Sequence, residues 1–409
     1  MKIAHISTYV SSGGAAIATF RLHQSLMKHE GIDSAIIQKY PEDRTFMAEN
    51  NIYMAEKDKS LISKVRRRLG LDVESLHERG LKNKSHKYEV ISFPTSSYRL
   101  EEHPIVKEAD IIHLHWIADD FLNYPTFFKN IKQPVIWTLH DINPFRGIFH
   151  FDGDKLKNPD LSNLDQKMLN VKIESVNRKD NINIVCLSDW MRQKSLQSKT
   201  FGRYHHHLIP NGLDFDRYPV IDKKKAKAET KTDNGLRNIL VVGASLENEQ
   251  KGFPMLFDAI NKLEQNNFNL ITVGHLSNQE YIRNDIQHLH IEKINSIAEL
   301  NTYYSAADIT VIPSKEDNLP NVMLESFANG TPIISFSNGG MAEHIKDGEN
   351  GILIKGDINS DALSIAINDY LSNKYHFDNV KITKYALENF SDSIQTEKYI
   401  KLYNSILGK

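Results

Sequence analysis

The chain has a single cysteine among its 409 residues, so it cannot form an internal disulfide. This absence argues against a disulfide-stabilised secreted scaffold and favours a reducing compartment. The one thiol, Cys186, lies in the apolar run Ile184-Val185-Cys186-Leu187. We expect it to be a buried small hydrophobic side chain, because nothing near it in the sequence would lower the pKa of a nucleophilic thiol.

Long hydrophobic runs and an excess of one charge are also absent. No stretch approaches the roughly 20 apolar residues that a membrane-spanning helix needs. The formal net charge of −2 provides no basic field, so we expect no nucleic-acid partner. The chain starts directly with a predicted strand and shows no signal-peptide pattern, and we therefore predict a cytoplasmic protein.

The composition is that of a globular α/β protein. Apolar residues make up 40% of the chain and charged residues 25%. A chain of 409 residues is expected to form two domains of roughly 150–200 residues each. Short apolar runs, several of them β-branched, alternate with amphipathic stretches, which predicts parallel sheets covered by helices. The predicted strands are 3–7, 34–38, 111–115, 135–139, 184–187, 207–209, 239–242, 268–273, 291–294, 309–312, 332–336 and 351–354.

A polar segment without apolar periodicity, residues 222–237, divides the chain and is predicted to be a linker. We therefore predict a first doubly wound domain over residues 1–221 and a second over 238–385. The remaining residues, 386–409, are predicted to form a C-terminal helix that packs back on the first domain. Ligands of such sheets bind beyond the carboxyl ends of the strands. We expect the two domains to face each other across a cleft.

One loop in the second half predicts a ligand class. Pro320 opens a helix that Gly330 follows, as helix start and stop signals require. Free backbone N–H groups around residues 318–322, at the helix N-terminus, would bind a phosphate. Asp317 precedes the helix and Glu325 lies in its second turn. Two carboxylates that accept hydroxyls on either side of a phosphate pocket indicate a nucleotide sugar.

Four other loops follow predicted strands and carry residues suited to a phosphate or a sugar. A tight turn explains each glycine pair equally well, and a structural hydrogen bond would explain the histidine. None of the glycine loops has the Gly-x-Gly-x-x-Gly fingerprint, which disfavours a dinucleotide dehydrogenase. Their shared position at strand ends in both halves indicates a divided site. The loops contain Gly13-Gly14, His140-Asp141, Lys251-Gly252 and Gly339-Gly340.

Two histidine groups raise the question of a metal. His113 and His115 alternate along one predicted strand and so share a face of the sheet. The sequence indicates no third ligand near them, and we expect no metal. We likewise expect no metal at His205-His206-His207. This run is interpreted as the approach to the strand that precedes Pro210-Asn211-Gly212.

These segments together resemble the family-4 retaining glycosyltransferases, which have the two-domain, Rossmann-like GT-B fold. The resemblance covers nearly the whole chain. Its Thr-Leu-His-Asp and Glu-Asp-Asn-Leu-Pro-Asn segments are similar to those of bacterial enzymes that build colanic-acid-like exopolysaccharides and capsules. The matching positions are Gly13-Gly14, His140, Ser188, Pro210-Asn211-Gly212-Leu213-Asp214, Lys251-Gly252, Ala307-Asp308, Pro313-Ser314, Glu325, Gly339-Gly340 and Glu343.

The resemblance implies transfer from a nucleotide-diphosphate sugar with retention at the anomeric carbon, and neither a cofactor nor a metal. Glu325 would bind the ribose, and the acid eight residues before it would bind the sugar; strict spacing gives Asp317, beside Glu316. The implied donor-binding residues are Gly13, Gly14, Lys251, Asp317, Asn318, Leu319, Pro320, Asn321 and Glu325. The implied catalytic residues are His140, Asp317, Glu316 and Lys251, with Asp141 and Arg146 on the acceptor side.

The sequence departs from the family pattern at one cationic position. Many members have an arginine directly after the glycine that ends the strand before the lysine. Here that stretch is Gly243-Ala244-Ser245. The positive charge for the diphosphate then rests on Lys251, unless Arg146 or another cation substitutes.

A basic amphipathic segment spans residues 59–71. Such a helix suits an anionic membrane surface at the inner face of the cell membrane. A helix that covers its own domain would show the same pattern and is at least as common. A glycan or lipid-linked acceptor, as the resemblance implies, would favour the membrane. The segment combines Lys59, Lys64, Arg66, Arg67 and Arg68 with Leu61, Ile62, Val65 and Leu69 at helical spacing, and ends at Leu71.

Two other functions fit part of this pattern. Another GT-B enzyme, such as a nucleotide-sugar epimerase or a phosphorylase, would share the fold, although no lysine has the context expected for pyridoxal phosphate. A non-catalytic sugar-nucleotide-binding partner subunit would agree with the absent arginine.

Overall fold

The computed structural model describes residues 1–84 and 86–409. These residues form two compact units, and the chain returns to the first unit at its C-terminus. The first unit comprises Met1–Pro210 and Gln395–Lys409, and the second comprises Asn211–Ile394.

The first unit is built on a seven-stranded parallel sheet of order β3-β2-β1-β4-β5-β6-β7. β-Branched and aliphatic residues dominate its central strands, which are buried on both faces. The strands are β1 (Lys2–Ile6), β2 (Asp33–Gln38), β3 (Ile52–Met54), β4 (Ile111–Leu114), β5 (Val135–Leu139), β6 (Ile182–Cys186) and β7 (His205–Leu208). The helices are α1 (Gly14–Met27), α2 (Arg44–Glu49), α3 (Leu61–Arg68), α4 (Val73–Leu81), α5 (Pro104–Glu108), α6 (Tyr124–Asn130), α7 (Asp152–Lys157), α8 (Ser162–Val176) and α9 (Asp189–Leu196).

The second unit repeats the architecture with a six-stranded parallel sheet of order β10-β9-β8-β11-β12-β13. Its strands are β8 (Arg237–Ser245), β9 (Phe268–His275), β10 (Gln287–Ile291), β11 (Ile309–Ile312), β12 (Ile333–Phe336) and β13 (Gly351–Ile354). Its helices are α10 (Lys223–Glu229), α11 (Phe253–Asn261), α12 (Ile297–Ala306), α13 (Asn321–Ala328), α14 (Met341–His344), α15 (Ser360–Leu371) and α16 (Asn379–Phe390). The prediction of two doubly wound α/β domains is confirmed.

The last helix, α17 (Asp392–Leu407), packs its tyrosines on the first sheet. The hydroxyl of Tyr403 lies 2.9 Å from Nδ1 of His113, and that of Tyr399 lies 2.8 Å from Oγ1 of Thr138. Short 3-10 turns occur at Leu100–Glu102, Asn143–Phe145, Pro159–Leu161, Phe215–Arg217 and Gln279–Tyr281.

The strand prediction fails for two strands, and both lie at sheet edges. The strand predicted at 291–294 is wrong, because β10 occupies Gln287–Ile291. Strand β3 was not predicted at all. Edge strands keep one side open to solvent and so lack the continuous apolar runs of central strands. The sequence of β10, Gln-His-Leu-His-Ile, shows this polar alternation.

The segment predicted as a linker, residues 222–237, contains helix α10 and the start of β8. Helix α10 packs against α12 and buries one side chain, Ala226. Its lysines bind the end of α12: Lys227 Nζ lies 2.6 Å from a carboxylate oxygen of Asp308. A helix held by ion pairs and one small apolar residue has little hydrophobic periodicity, which explains why the sequence pattern suggested a connector.

Two sequence expectations concern burial. Cys186 is fully buried, and this burial raises the pKa of its thiol to about 12. Helix α3 has no buried residue, and Leu61, Ile62, Val65 and Leu69 are 79%, 68%, 54% and 65% exposed. The alternative in which this segment covers its own domain is therefore wrong for these side chains. In the described part of the chain, we find no helix with the length and apolar character needed to cross a bilayer.

Candidate functional site

Three loops of the second unit meet at the carboxyl edge of its sheet. They follow β8, β11 and β12, which are neighbours in the strand order. The backbone N–H of Lys315 donates to the carbonyl of Gln250 at 2.9 Å, which joins the β11 loop to the β8 loop. The side chain of Asn338 donates to the carbonyls of Ser314 and Lys315, which joins the β12 loop to the β11 loop.

Asp317 lies at the centre of these contacts. One carboxylate oxygen accepts from Lys251 Nζ at 2.6 Å and from Ser314 Oγ at 3.2 Å, and the other accepts from the Asn318 N–H at 3.1 Å. Its carbonyl oxygen accepts from the Gly340 N–H at 3.0 Å. Asp317 is thus the acid that pairs with Lys251, while Glu316 precedes it on the loop and is half-buried.

Two glycines make this loop packing feasible. Gly252 has a φ of +76°, and a Cβ there would collide with the carbonyl oxygen of Pro313. Gly339 has a φ of +61°, and a Cβ there would collide with the carbonyl oxygen of Asp317. In the structure, each one lets a neighbouring loop approach.

Helix α13 starts directly after the acid loop, with Pro320 as its N-cap residue. Asn318 and Leu319 are buried, so the loop is anchored in the domain core, while Pro320 and Asn321 are half-exposed. The predicted donor-binding segment 318–321 is therefore placed at a helix N-terminus, where N–H groups and the helix dipole favour an anion.

Glu325 lies on α13 and is 6% exposed. One carboxylate oxygen accepts from the hydroxyl of Tyr218 at 3.3 Å and the other from that of Tyr304 at 3.0 Å. Sequence reasoning missed both tyrosines, because they lie far from the acid loop in the chain. The two tyrosine hydroxyls thus hold the Glu325 carboxylate in place on α13.

In the first unit, His140 follows β5 and ends a series of imidazoles. His140 Nε2 lies 3.4 Å from His115 Nδ1, and His115 Nε2 lies 2.9 Å from His5 Nδ1. Desolvation lowers the pKa of His140 to about 4, although Asp141 acts in the opposite direction. His140 is therefore neutral at physiological pH.

Asp141 is held by several donors of its own unit. Trp116 Nε1 and His150 Nδ1 each lie 2.6 Å from one carboxylate oxygen, and the Asn143 N–H donates to the other at 2.9 Å. Burial would raise the pKa of Asp141, but His150 and these donors outweigh it and lower the pKa. These contacts fix the loop after His140, which gives Asp141 a structural role besides the predicted one on the side of the sugar acceptor.

Arg146 is paired within the first unit. Its guanidinium donates to both carboxylate oxygens of Asp152, at 2.9 and 3.3 Å, and Lys194 Nζ lies 2.9 Å from the same carboxylate. To replace the arginine that many family members have after the glycine at the end of the strand, Arg146 would have to leave this network.

The predicted glycine pair lies at the start of α1. Gly13 is the N-cap residue with a φ of +89°, and a Cβ there would meet no atom within 4 Å. Gly13 and Gly14 are both exposed. This position is the N-terminus of a 14-residue helix.

A third histidine joins the two that the sequence placed on one face. His5, on β1, lies opposite His113 in the sheet register, so that His5, His113 and His115 form a buried group. Their ring nitrogens are largely used within the protein: His113 contacts Tyr403 and Thr138, and His115 contacts His5 and His140. The geometry supports a hydrogen-bonded polar layer inside the unit.

Comparisons with known proteins identify the class. Residues 237–373 match the family described as glycosyl transferases group 1. An uncharacterised 41.2 kDa protein in the cps region of Klebsiella pneumoniae is 24% identical over 99% of this chain and 100% of its own length. Sucrose-phosphate synthase of Thermosynechococcus elongatus has a TM-score of 0.67 and 16% identity, covering 100% of this chain and 99% of its own. The Anabaena HepE protein in complex with UDP has a TM-score of 0.67 and 15% identity, covering 99% of this chain and all of its own.

The structural likeness confirms the GT-B fold, and the family match confirms the resemblance to family-4 glycosyltransferases. The chain is a glycosyltransferase, and residues 237–373, in its second unit, match the glycosyl transferases group 1 family.

Proposed function

We propose that the protein transfers a sugar from a nucleotide-diphosphate sugar to a glycan or lipid-linked acceptor, with retention at the anomeric carbon. The observation that carries the proposal is the Lys251–Asp317 ion pair beside the N-terminus of α13, the helix that also bears Glu325. Lys251 Nζ lies 2.6 Å from Asp317, and α13, which begins shortly after Asp317, bears Glu325. This arrangement suits a diphosphate that lies between two hydroxyl-bearing groups. The HepE neighbour, solved with UDP, supports this ligand class.

Each part of the donor is assigned to a chemical partner. Lys251 and the backbone of Asn318 to Asn321 bind the diphosphate, Glu325 binds the ribose, and Asp317 binds the sugar. Glu316 is the neighbouring alternative for the sugar. Among these groups, Lys251 and the N-terminus of α13 stabilise the negative charge that develops on the leaving diphosphate.

The first unit is assigned to the reacting sugar and the acceptor. Neutral His140 donates a hydrogen bond to a sugar hydroxyl or accepts one from it, and the N-terminus of α1 at Gly13 and Gly14 suits an anion. Asp141 and Arg146 shape the acceptor side through the loop that they hold. The leaving phosphate takes the proton of the acceptor hydroxyl, so that the reaction requires neither a dedicated protein base nor a metal or other cofactor.

We further propose that the enzyme acts in cell-surface polysaccharide synthesis on the cytoplasmic face of the membrane. The relative in a cps region supports the pathway class. The exposed apolar side chains of α3 and the neighbouring Lys64, Arg66, Arg67 and Arg68 support peripheral contact with anionic lipid.

A donor screen tests the function. Thermal shifts are measured with UDP-, ADP- and GDP-sugars, and nucleotide diphosphate release is then measured with the stabilising donor and an acceptor panel. We expect Lys251→Ala and Glu325→Gln to reduce turnover by about 100-fold or more. Lys315→Ala is the matched control, because this exposed lysine lies in the same loop network.

Three outcomes would contradict the proposal. Binding without release of nucleotide diphosphate across all acceptors would indicate a non-catalytic binding subunit. Conversion of the donor to an isomer would indicate an epimerase. Inversion at the anomeric carbon of the product, measured by NMR, would exclude the retaining mechanism.

A further inference from the structure

The donor site holds an internal ion pair that joins two groups needed by different parts of the donor. Lys251 and Asp317 lie 2.6 Å apart, with side-chain exposures of 37% and 12%. The proposed function assigns the lysine to the diphosphate and the aspartate to the sugar, and the inference below rests on that assignment. While the two are paired, neither is fully available to the donor.

The two partners differ in their freedom to move. Asp317 is held at its side chain by Ser314 and the Asn318 N–H, and at its carbonyl by the Gly340 N–H. Gly339 packs directly against the same carbonyl. The backbone of Lys251 is fixed through its N–H to Asn248 Oδ1 at 2.8 Å, but its four-carbon side chain is partly exposed. When the pair opens, the ammonium group moves and the carboxylate stays.

We propose that the Lys251–Asp317 pair is exchanged in every catalytic cycle. Donor binding transfers the ammonium from Asp317 to the diphosphate, and the released carboxylate accepts hydroxyls of the sugar. After transfer the sugar has left, and Asp317 competes with the phosphate for Lys251. The aspartate thereby favours the intact donor over the nucleotide diphosphate product and promotes product release.

This exchange predicts effects of opposite sign on two ligands. Asp317→Asn removes the competing charge, so that nucleotide diphosphate should bind about two- to fivefold more tightly, as expected for a partly exposed ion pair. The nucleotide sugar loses a charge-assisted contact with its hydroxyls and should bind more weakly. A residue that only orders the loop would weaken both ligands together.

Isothermal titration calorimetry tests the inference with UDP and UDP-glucose, ADP and ADP-glucose, and GDP and GDP-mannose. The pair that binds the wild-type protein is then measured with Asp317→Asn, Lys251→Ala and the double variant. The tighter product binding must disappear in the Lys251→Ala background, because it depends on the released lysine. Ser314→Ala is the control that removes a neutral contact to the same oxygen. Melting temperatures check that each variant is folded.

The outcomes separate this inference from the function itself. Tighter diphosphate and weaker sugar-nucleotide binding in Asp317→Asn, with turnover less inhibited by product in the wild type than in the variant, would support the exchange. Unchanged or weaker diphosphate binding in Asp317→Asn would overturn it while leaving the glycosyltransferase assignment intact. If none of the three ligand pairs binds the wild type, the assignment of the donor site fails first.

Discussion

At the scale of single residues, Gly339 links backbone conformation to the donor site. Its φ is +61°, and its α-carbon faces the carbonyl oxygen of Asp317. We expect Gly339→Ala to displace Asp317 and to lower affinity for the nucleotide sugar by at least about tenfold, which calorimetry would measure. Gly348→Ala is the matched control: its φ is +78°, but a Cβ there meets no atom within 4 Å. It should cost only the left-handed backbone penalty of about 1–2 kcal/mol. Equal loss of affinity in both variants would contradict the role of the Asp317 contact.

The proximity of candidate residues was predictable where it depends on local spacing. The acid loop, its lysine and the glycine pairs follow strands within a few residues, and the structure brings Lys251, Asp317 and Gly339 together. The partners of Glu325 were not predictable, because Tyr218 lies 107 residues away and meets it only through the tertiary fold. The structural role of Asp141 was likewise not predictable, since its hydrogen bonds with Trp116 and His150 are visible only in the structure.

At the scale of elements, α3 presents an apolar stripe bordered by cations. Leu61 and Val65 are 79% and 54% exposed, and no residue of the helix is buried. We expect the protein to sediment with vesicles that contain phosphatidylglycerol and to bind neutral phosphatidylcholine vesicles much more weakly. Changing Arg66, Arg67 and Arg68 to glutamine should remove this preference, because each cation near an anionic surface contributes about 1 kcal/mol. Leu61→Gln with Val65→Gln should weaken binding to both lipids.

The matched control for α3 is Val380→Gln, an apolar side chain in the second unit that is 78% exposed. It should leave sedimentation unchanged. Binding that is insensitive to the arginines would refute the anionic membrane contact. Concentration-dependent dimerisation abolished by Leu61→Gln, measured by analytical ultracentrifugation, would assign the face to a second copy of the chain instead.

Element prediction succeeded for central strands and failed at two edge strands, β3 and β10, for a physical reason. Strands β5 and β11, in the interior of their sheets, have the predicted bounds, because burial on both faces demands uninterrupted apolar residues. The edge strands β3 and β10 have an open side and therefore no such run. Helix α10 was not predicted either, since its stabilising contacts are ion pairs to Asp308, which give no apolar pattern in the sequence.

At the scale of the whole molecule, buried histidines make the stability of the two units respond differently to acid. Burial lowers the pKa of His23 and His140 to about 4 and lowers those of His5, His113 and His115 well below the ordinary value. In the second unit, burial lowers the pKa of His288 and of His344 to about 4. More histidines with a strongly lowered pKa thus lie in the first unit, and its stability should fall more steeply with acid.

The sign follows from proton binding. The unfolded chain protonates these imidazoles near pH 6.5, whereas the folded unit keeps them neutral until the pH approaches their lowered pKa. Their contribution to the free energy of unfolding is therefore complete above pH 6.5 and is lost as the pH falls toward about 4. Each such histidine contributes a slope of up to about 1.4 kcal/mol per pH unit.

Tryptophan fluorescence can isolate the first unit, because Trp116, Trp137 and Trp190 all lie in it. Urea unfolding between pH 7 and pH 5 should show a falling midpoint for the wild type. His23→Asn should have a shallower pH dependence, by up to one proton, since its imidazole contacts Ser34 and the carbonyl of Asn50 in the folded unit. His29→Asn, which changes an exposed histidine just beyond α1, is the matched control. If His23→Asn keeps the wild-type slope, the acid sensitivity of the first unit does not arise from this buried histidine.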